Sequence, residues 1–217
     1  IMSITIKSHL GQYSVKLIKN INQKNLKNDN NFYIIDNVVY KLFLKNKLNK
    51  KFVIVNSSEK NKDYFEIGKI IKKIILLGIK RNSNLIGIGG GIVQDITGFI
   101  ASIIFRGVTW SFYPTTLLSQ GDSCIGGKTS VNFGIAKNQL GNFYPPKEVY
   151  LYSTFLKGLR KKDVMSGLGE LAHYYLISGK VDWKLFNYYL NKFLNNPTNL
   201  EVLEKITFRS LKIKKKF

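Results

Sequence analysis

This chain of 217 residues has almost no cysteine, and it contains no long apolar run. The single cysteine, Cys124, excludes an intrachain disulfide and a zinc site built from several thiolates. No apolar run reaches the roughly 18 residues of a membrane-spanning helix, and the first residues lack the apolar segment of a signal peptide. These absences predict a cytoplasmic protein without a membrane partner.

Acidic residues are also few, since 13 Asp and Glu stand against 34 Lys and Arg and give a net charge of +21. Such a charge suits a nucleic-acid binder, but no zinc-finger, RNP-like or basic-zipper pattern accompanies it. The lysines are spread over the whole length beside many asparagines and isoleucines, whose AT-rich codons indicate a biased genome. We therefore expect no nucleic-acid partner, and solvated basic faces that favour anionic substrates.

An apolar content of 44% is enough for a folded core, and strand-like runs alternate with helical patterns. The expected strands are 2–7, 32–35, 52–55, 85–89 and 110–113, and the expected helices are 38–48, 64–77 and a helix after residue 91. This order predicts an α/β fold, with a Rossmann-like, mostly parallel sheet domain over residues 1–155. An all-α domain, truncated here, is expected over residues 156–217.

Three consecutive glycines, Gly89, Gly90 and Gly91, lie between a predicted strand and a predicted helix. Glycine lets a ligand approach the backbone, and the free N–H groups of a helix start favour a phosphate there. The pattern departs from the dinucleotide fingerprint, because Gln94 stands in place of the third glycine and no acidic residue follows about twenty positions on. A phosphate or nucleotide site and a plain turn between two core elements both fit this stretch.

The segment 113–147 is rich in hydroxyls and glycines and contains Asp122 and two lysines. Its Gly-Gly-Lys-Thr turn at 126–129 is similar to the end of a P-loop, but Ser123 occupies the place of the loop's first glycine. A P-loop NTPase is therefore a poor fit. The segment suits a polyhydroxylated, phosphorylated ligand, or it consists of polar loops with incidental lysines. Within this segment, Cys124 is expected in the core or in a pocket wall. Beyond it, we expect Glu148, Asp163 and Asp182 to be solvated surface residues.

The order of the motifs resembles that of 3-dehydroquinate synthase and its sugar-phosphate cyclase relatives. The motifs are Glu59-x-x-Lys62, Gly89-Gly-Gly-x-x-x-Asp95, Arg106-Gly, Pro114-Thr-Thr-Leu-Leu-Ser-Gln, Asp122-Ser, Gly126-Gly-Lys-Thr, Lys137-Asn138, Gly141-x-Phe-Tyr and Ser166-Gly-Leu-Gly-Glu170. The resemblance runs from about residue 30 to residue 217. It implies a homodimeric carbon–oxygen lyase of the shikimate pathway of aromatic amino acid biosynthesis, with NAD⁺ and a divalent metal, zinc or cobalt, as cofactors.

The implied reaction converts 3-deoxy-arabino-heptulosonate 7-phosphate into 3-dehydroquinate and phosphate. Its steps are oxidation of a substrate hydroxyl by NAD⁺, elimination of phosphate, return of the hydride, ring opening and an internal aldol closure. A ketone next to the C–H acidifies it, so that phosphate can leave, and the metal polarises the reacting oxygens.

The resemblance also implies roles for residues at matching positions. For NAD⁺ they are Asp36, the Ser57–Lys62 loop with Glu59 and Lys62, Gly90, Gly91, Ile92, Val93, Asp95, Thr115, Thr116, Lys128, Lys137 and Thr154 with Phe155–Gly158, including Leu156. For the sugar phosphate they are Asp122, Lys128 and Asn138, with Arg106 reaching the phosphate across the dimer interface. Lysine and arginine are the expected partners of anionic groups.

Glu170 matches the first metal ligand of the family, which completes the set with two histidines further along. This chain has only His9 and His173 and ends before that region, so it is expected to be an N-terminal fragment. His173 stands where the family usually has a substrate-binding lysine. It shares a helix face with Glu170, and it is a replacement substrate donor, a packed histidine or an additional metal ligand.

Three hypotheses for function remain open from the sequence. The first is 3-dehydroquinate synthase itself. The second, which the change at His173 raises, is a related cyclase for another sugar phosphate, similar to 2-deoxy-scyllo-inosose synthase or valiolone synthase. The third is a non-catalytic nucleotide-binding or nucleic-acid-associated protein.

Overall fold

A seven-stranded, mostly parallel sheet forms the centre of the protein in the computed structural model, which describes residues 2–217. Its strands are β1 (Ser3–Ser8), β2 (Gly11–Leu17), β3 (Asn31–Asp36), β4 (Phe52–Val55), β5 (Asn84–Gly89), β6 (Thr109–Pro114) and β9 (Glu148–Leu151). They lie in the order β1-β2-β9-β6-β5-β3-β4, in which β1 and β2 are antiparallel and every other neighbouring pair is parallel. The predicted α/β class is confirmed.

A two-stranded antiparallel hairpin lies beside this sheet and consists of β7 (Lys128–Phe133) and β8 (Ala136–Phe143). The helices are α1 (Gln23–Leu26), α2 (Asn37–Val39), α3 (Tyr64–Leu76), α4 (Gly91–Ile103), α5 (Lys161–Ser178), α6 (Lys180–Asn195) and α7 (Leu200–Lys214). No helix within residues 2–217 combines the length and the apolar character that crossing a membrane requires.

The central strands are apolar throughout because helices cover both faces of the sheet. In β3, Phe32 and Ile34 point into one hydrophobic cluster, whereas Tyr33 and Ile35 point into another on the opposite face. The first cluster lies under α3 and α4, and the second lies under the α2 region and the short helical segment Ser153–Gly158. Because all strands other than β1 run parallel, their carboxyl ends lie at one edge of the sheet.

The last three helices pack on one another around a third cluster that includes Leu171, Phe186 and Ile206. Helix α7 belongs to two clusters, because its Phe208 and Leu211 pack with the sheet residues whereas Ile206 and Ile213 pack with the other helices. The division of the chain into domains at residue 155 stays a prediction.

Several local expectations differ from the structure. The expected helix 38–48 is a short α2 that continues as a π-helical turn over Tyr40–Leu44. The strands β2 and β9 and the hairpin were not expected, although β2 alternates apolar and polar residues in the way typical of a strand. Strand β9 is only four residues long, and β8 has no buried residue. Cys124 lies in the core, as predicted, and burial raises its pKa to about 12.

The expectation that Glu148 and Asp182 are solvated surface is wrong. Asp182 is 6% exposed and accepts hydrogen bonds from Ser178 Oγ at 2.5 Å and Arg209 Nε at 2.7 Å. Glu148 is half-buried and bonded to Lys16 and Tyr150. Each carboxylate has one partner close to it in sequence and one cationic partner far from it, Lys16 for Glu148 and Arg209 for Asp182, and these partners compensate for the loss of water. No local pattern indicates the two distant cations. Asp163 is only partly exposed and pairs with Arg160 in the first turn of α5.

Candidate active site

The three consecutive glycines lie where β5 meets α4, and their surroundings differ. A Cβ at Gly89 would lie 2.5 Å from Val93 Cγ2, and one at Gly90 would lie 3.0 Å from Thr116 Cγ2. A Cβ at Gly91 would meet no atom within 4 Å, and Gly91 is exposed. The first two glycines therefore allow close packing, whereas the third leaves the start of the helix open to a ligand.

No side chain caps the start of α4, because its N-cap residue is Gly90. The first N–H groups of a helix lack partners inside the helix and carry partial positive charge. Thr115 lies beside them at the end of β6, where its N–H donates to the Gly89 carbonyl at 2.9 Å, and Thr116 follows. The arrangement can accept a phosphate group.

A cleft of about 360 Å³ opens next to this helix start. It is lined by Gly91, Gln94, Asp95, Asp122, Ser123, Ile125, Gly126, Lys128, Tyr174 and Lys214. The structure thus brings two residues predicted to bind the cofactor, Gly91 and Asp95, to the same cleft as two predicted to bind substrate, Asp122 and Lys128.

Asp122 is held from two helices that the sequence places far from it. Its Oδ1 accepts hydrogen bonds from Tyr174 Oη at 2.5 Å and from Lys214 Nζ at 2.6 Å. Lys214 Nζ also donates to the Asp122 carbonyl at 2.9 Å and to the Ile125 carbonyl at 3.3 Å. Burial, the hydrogen bond to Asp122 and the charges of Asp122 and Glu170 raise the pKa of Tyr174. Its phenol therefore stays protonated and donates to the carboxylate.

Asp95 is joined to the β7–β8 hairpin through Lys62. The Lys62 side chain is buried, and its Nζ lies 2.7 Å from Asp95 Oδ2 and 2.6 Å from Asn138 Oδ1. Burial raises the pKa of Asp95, and the hydrogen bond and charge of Lys62 oppose that rise. The Ser130 N–H donates to Asp95 Oδ1 at 3.3 Å. Predicted cofactor and substrate residues therefore share one polar network.

Most of the other predicted cofactor residues follow the carboxyl ends of the parallel strands. Asp36 ends β3, caps α2 at the Val39 N–H at 2.9 Å, and accepts from Ser57 Oγ at 2.5 Å. Glu59 opens the 3₁₀ segment Glu59–Lys62 after β4. Of the remainder, Ile92 and Val93 lie in the first turn of α4, Lys137 is exposed on β8, and Thr154, Phe155 and Leu156 follow β9. The side chains of Val93, Phe155 and Leu156 are buried in the core, so a ligand could contact only their backbones.

Arg106 lies away from this cleft. It follows the last turn of α4, about 20 Å along the helix from Gly91 at 1.5 Å per residue. Its side chain is exposed, and its φ of 64° and that of Phe105, 52°, are in the left-handed region. Within one chain the structure does not bring Arg106 together with the other predicted substrate residues.

Glu170 and His173 lie on α5, and both are exposed. Glu170 is near enough to Tyr174 for its charge to raise the pKa of the phenol, and the His173 ring centroid lies 5.8 Å from that of Tyr174. No group of three or more His, Cys, Asp or Glu side chains among residues 2–217 could hold a metal ion. These residues therefore supply one carboxylate next to the cleft and not a complete metal site.

Comparison with known proteins decides the family. The model of the 3-dehydroquinate synthase N-terminal region matches residues 52–166, which is more than half of the chain. The chain belongs to the 3-dehydroquinate synthase family. Family members include 3-dehydroquinate synthases from Buchnera aphidicola subsp. Cinara cedri (strain Cc), 42% identical over 178 residues, and from Pelagibacter ubique (strain HTCC1062), 37% identical over 206 residues. These matches cover 78% and 88% of this chain but 48% and 55% of the relatives. The chain thus spans about half the length of the 3-dehydroquinate synthases it matches.

Solved structures of related cyclases share the fold. The 2-epi-5-epi-valiolone synthase of Streptomyces hygroscopicus subsp. jinggangensis 5008, solved with NAD⁺ and Zn²⁺ bound, has a TM-score of 0.80 and 23% identity over 93% of this chain and 60% of its own. A 2-deoxy-scyllo-inosose synthase complexed with carbaglucose-6-phosphate, NAD⁺ and Co²⁺ has a TM-score of 0.68 and 21% identity over 81% of this chain and 51% of its own. At these identities the likeness concerns the fold alone.

Sequence reasoning did not find Tyr174, Lys214 or Asn132, all of which bond to predicted site residues. Tyr174 lies four residues after Glu170, a spacing that places both on one helix face and gives a local signal. Lys214 lies 92 residues after Asp122 in the chain, and no sequence spacing indicates their contact.

Proposed function

We propose that this chain is the NAD⁺-binding half of a 3-dehydroquinate synthase that converts 3-deoxy-arabino-heptulosonate 7-phosphate into 3-dehydroquinate and phosphate. The observation that supports it is the cleft in which Gly91 and Asp95 face Asp122 and Lys128, in a chain of this family. Its relatives named 3-dehydroquinate synthase reach 42% identity. The division into an NAD⁺-binding part up to residue 155 and a helical part after it belongs to the same proposal.

The start of α4 fits a dinucleotide. Gly91 leaves open space above the backbone, and the uncapped N–H groups suit the phosphates. NAD⁺ supplies a hydride acceptor for a substrate hydroxyl and returns the hydride later in the reaction. The residues of the Glu59–Lys62 segment and Asp95, at the same edge of the sheet, would orient the nicotinamide end against the cleft.

The chain's own residues would hold the sugar phosphate. Lys128 and Lys214 present two ammonium groups to the cleft, which suits a ligand with a phosphate and a carboxylate. Asp122 lies between Tyr174 and Lys214, and its carboxylate can accept a hydrogen bond from a substrate hydroxyl. Asn138 adds an uncharged donor and acceptor on the hairpin.

Glu170 would provide one ligand to a divalent metal, zinc or cobalt. A carboxylate oxygen is an accepted zinc ligand, but the described residues offer no further set, so the remaining ligands must come from outside them. We therefore assign the metal no step in this chain. Because His173 is exposed, it is not a packed histidine, and in this proposal it is a substrate donor or an extra metal ligand.

Arg106 would contribute to the site of a second subunit. It is about 20 Å from the helix start that faces its own cleft, and its guanidinium is exposed. A homodimer in which Arg106 reaches the partner's substrate phosphate accounts for this position.

A cyclase for another sugar phosphate is the second candidate. It is favoured by His173 alone, since the likeness to the valiolone synthase, at 23% identity, concerns the fold. The identity of 42% to a 3-dehydroquinate synthase, against 23% to that cyclase, favours the first.

Release of inorganic phosphate tests the choice. The full-length protein, loaded with NAD⁺ and Zn²⁺, is incubated separately with the heptulosonate 7-phosphate, a heptulose 7-phosphate and glucose 6-phosphate. Release from the first alone supports a 3-dehydroquinate synthase, whereas release from another shows the related cyclase. No release from any, together with no binding of NAD⁺ in calorimetry, would refute both.

A further inference from the structure

The β7–β8 hairpin contains a bulge that holds two of the predicted site residues. Val131 pairs with Leu140 and Phe133 with Ala136, so residues 137–139 stand opposite a single residue, Asn132. Asn138 has a φ of 55°, in the left-handed region that asparagine tolerates better than most residues. Bulges of this kind redirect side chains. Here the bulge sets the directions of the Lys137 and Asn138 side chains.

Asn132 connects this bulge to the cofactor-binding segment. It is 5% exposed, and its Oδ1 accepts a hydrogen bond from the Asn138 N–H at 2.9 Å. Its Nδ2 donates to Glu59 Oε1 at 2.9 Å and to the Glu59 carbonyl at 3.3 Å. One buried amide thus uses its acceptor on one side and its donors on the other.

The same two segments meet a second time at Lys62. Its Nζ lies 2.6 Å from Asn138 Oδ1, and Ser130 Oγ donates to that oxygen at 3.0 Å. The backbone of Asn138 is therefore held by Asn132, and its side chain is held by Lys62 and Ser130. Of these groups, Asn132 alone bonds to both Glu59 and the bulge, and it lies outside the cleft.

We propose that Asn132 is a positioning residue that couples the cofactor-binding segment Glu59–Lys62 to the orientation of Asn138. This inference rests on the proposed function, in which Glu59 serves NAD⁺ and Asn138 serves the sugar phosphate. A ligand that fixes Glu59 fixes Asn132, and Asn132 fixes the bulge. By linkage, binding of each ligand then strengthens binding of the other.

The test uses Asn132→Asp in the full-length protein, since this change keeps the size and the acceptor for the Asn138 N–H. The new carboxylate faces the Glu59 carboxylate and cannot donate. We expect the Kd for NAD⁺, from calorimetry, and the KM for the heptulosonate 7-phosphate each to rise about tenfold, while kcat changes less. A purely structural role would lower the melting temperature and the active fraction but leave both constants of the folded protein unchanged.

Two further variants separate the coupling from general damage. Asn142→Asp makes the same chemical change on the exposed side of β8, where the side chain keeps its bond from Thr129 Oγ1 at 2.7 Å, and it should leave both constants unchanged. The double variant Glu59→Gln with Asn132→Asp restores the bond with donor and acceptor exchanged. Recovery of the KM towards the wild-type value is expected.

Glu59→Ala covers the case in which Asn132→Asp does not fold, because Glu59 is exposed. At saturating NAD⁺ it should still raise the KM for the sugar phosphate, although Glu59 is on the cofactor side. Unchanged constants in the Asn132 variant, a change in kcat alone, or no recovery in the double variant would overturn the inference. If the wild-type protein itself releases no phosphate, the proposed function fails, and that result is distinct from these.

Discussion

Lys214 shows how much of the site depends on a contact between distant residues. Its ammonium group lies 2.6 Å from Asp122 Oδ1 and also contacts two backbone carbonyls. Neither its neighbours in sequence nor its spacing from the motifs indicated a role. The contact exists because α7 packs against the segment that carries Asp122, and it places a second cation next to Lys128 in the cleft.

Replacement of this lysine should weaken substrate binding. Lys214→Gln removes the cation and leaves the Asp122 carboxylate with Tyr174 alone, so we expect the KM for the anionic substrate to rise about tenfold or more. Steady-state phosphate release measures it. Lys215→Gln, one residue further on and exposed, is the matched control and should behave like the wild type. An unchanged KM in the Lys214 variant would remove this lysine from the site.

Removal of the Glu170 carboxylate should lower the metal content of the full-length protein. Glu170→Gln keeps the size but loses the charge that a divalent ion requires, so we expect zinc bound per subunit to fall well below the wild-type ratio in atomic absorption. Glu201→Gln, an exposed carboxylate on α7, is the control and should keep its metal. The same zinc ratio in both variants would exclude Glu170 as a ligand.

At the residue scale, the sequence was informative wherever a role depends on local geometry. The triple glycine is an example, because a strand, a turn and a helix lie within about fifteen consecutive residues. It was not informative for Asp182, Lys214 or Asn132, whose partners lie 27, 92 and 73 residues away along the chain. Only the packing of the helices and the hairpin brings these partners together.

At the element scale, a substitution at the start of α4 tests whether NAD⁺ lies against the backbone there. Gly91→Ala adds a methyl group where no atom lies within 4 Å, so the fold should remain intact. The methyl would project into the space proposed for the dinucleotide, and we expect the Kd for NAD⁺ to rise about tenfold. Calorimetry and thermal melting measure the two effects.

Gly68→Ala on α3 is the matched control for this change. Gly68 is also exposed, and a Cβ there also meets nothing within 4 Å. It should raise the free energy of unfolding by about 0.5–1 kcal/mol, as expected for glycine inside a helix, without affecting NAD⁺. Equal NAD⁺ affinities in the two variants would contradict the placement of the cofactor.

The helical cluster contains a pH-dependent contact between α6 and α7. Burial pushes the pKa of Asp182 upwards, but the hydrogen bonds from Ser178 and Arg209 and the charge of Arg209 outweigh it and leave the pKa lowered. A lowered carboxyl pKa stabilises the fold above the unfolded value of about 4, and this stabilisation is lost as pH falls through the folded value.

Asp182→Asn should therefore destabilise the protein by about 2 kcal/mol at pH 7. The difference from the wild type should start to shrink as pH falls below about 4, where the carboxyl of the unfolded chain takes up a proton. It should vanish once pH has fallen through the lower pKa of the folded protein. Thermal melting followed by circular dichroism across pH measures both. Asp163→Asn, which removes the exposed pair with Arg160, should cost much less at pH 7. A gap that does not depend on pH would indicate a loss of packing instead.

Helices and strands with a clear apolar pattern could be predicted from the sequence, and those without one could not. Strands buried on both faces, such as β3 and β5, and the amphipathic α3 gave clear signals. The β7–β8 hairpin did not, because β8 has only half-buried and exposed residues and its bulge breaks the alternation. Its strands are held by contacts with α4 and by polar bonds to the Glu59–Lys62 segment. Such contacts do not produce an alternating apolar pattern in the sequence.

At the scale of the whole molecule, the position of Arg106 allows a test by subunit mixing. Arg106→Ala and Lys128→Ala should each abolish turnover in a homodimer. If Arg106 acts on the partner's site, a hybrid dimer of the two variants has one complete site, so random mixing should restore about a quarter of the wild-type activity. Phosphate release after mixing, unfolding and refolding of the two full-length variants measures it. Failure to restore any activity would place Arg106 within its own subunit's site, and full activity of the Arg106 variant by itself would place it outside the site.

Helix α7 is shared between two hydrophobic clusters, one with the sheet and one with α5 and α6. A hinge motion between the sheet and these helices would have to remove apolar side chains of α7 from one of the two hydrophobic clusters. Heating should therefore not melt the helices ahead of the sheet. The Asp122–Lys214 contact joins α7 to the segment that carries Asp122, so it should persist for as long as the sheet and these helices stay packed together.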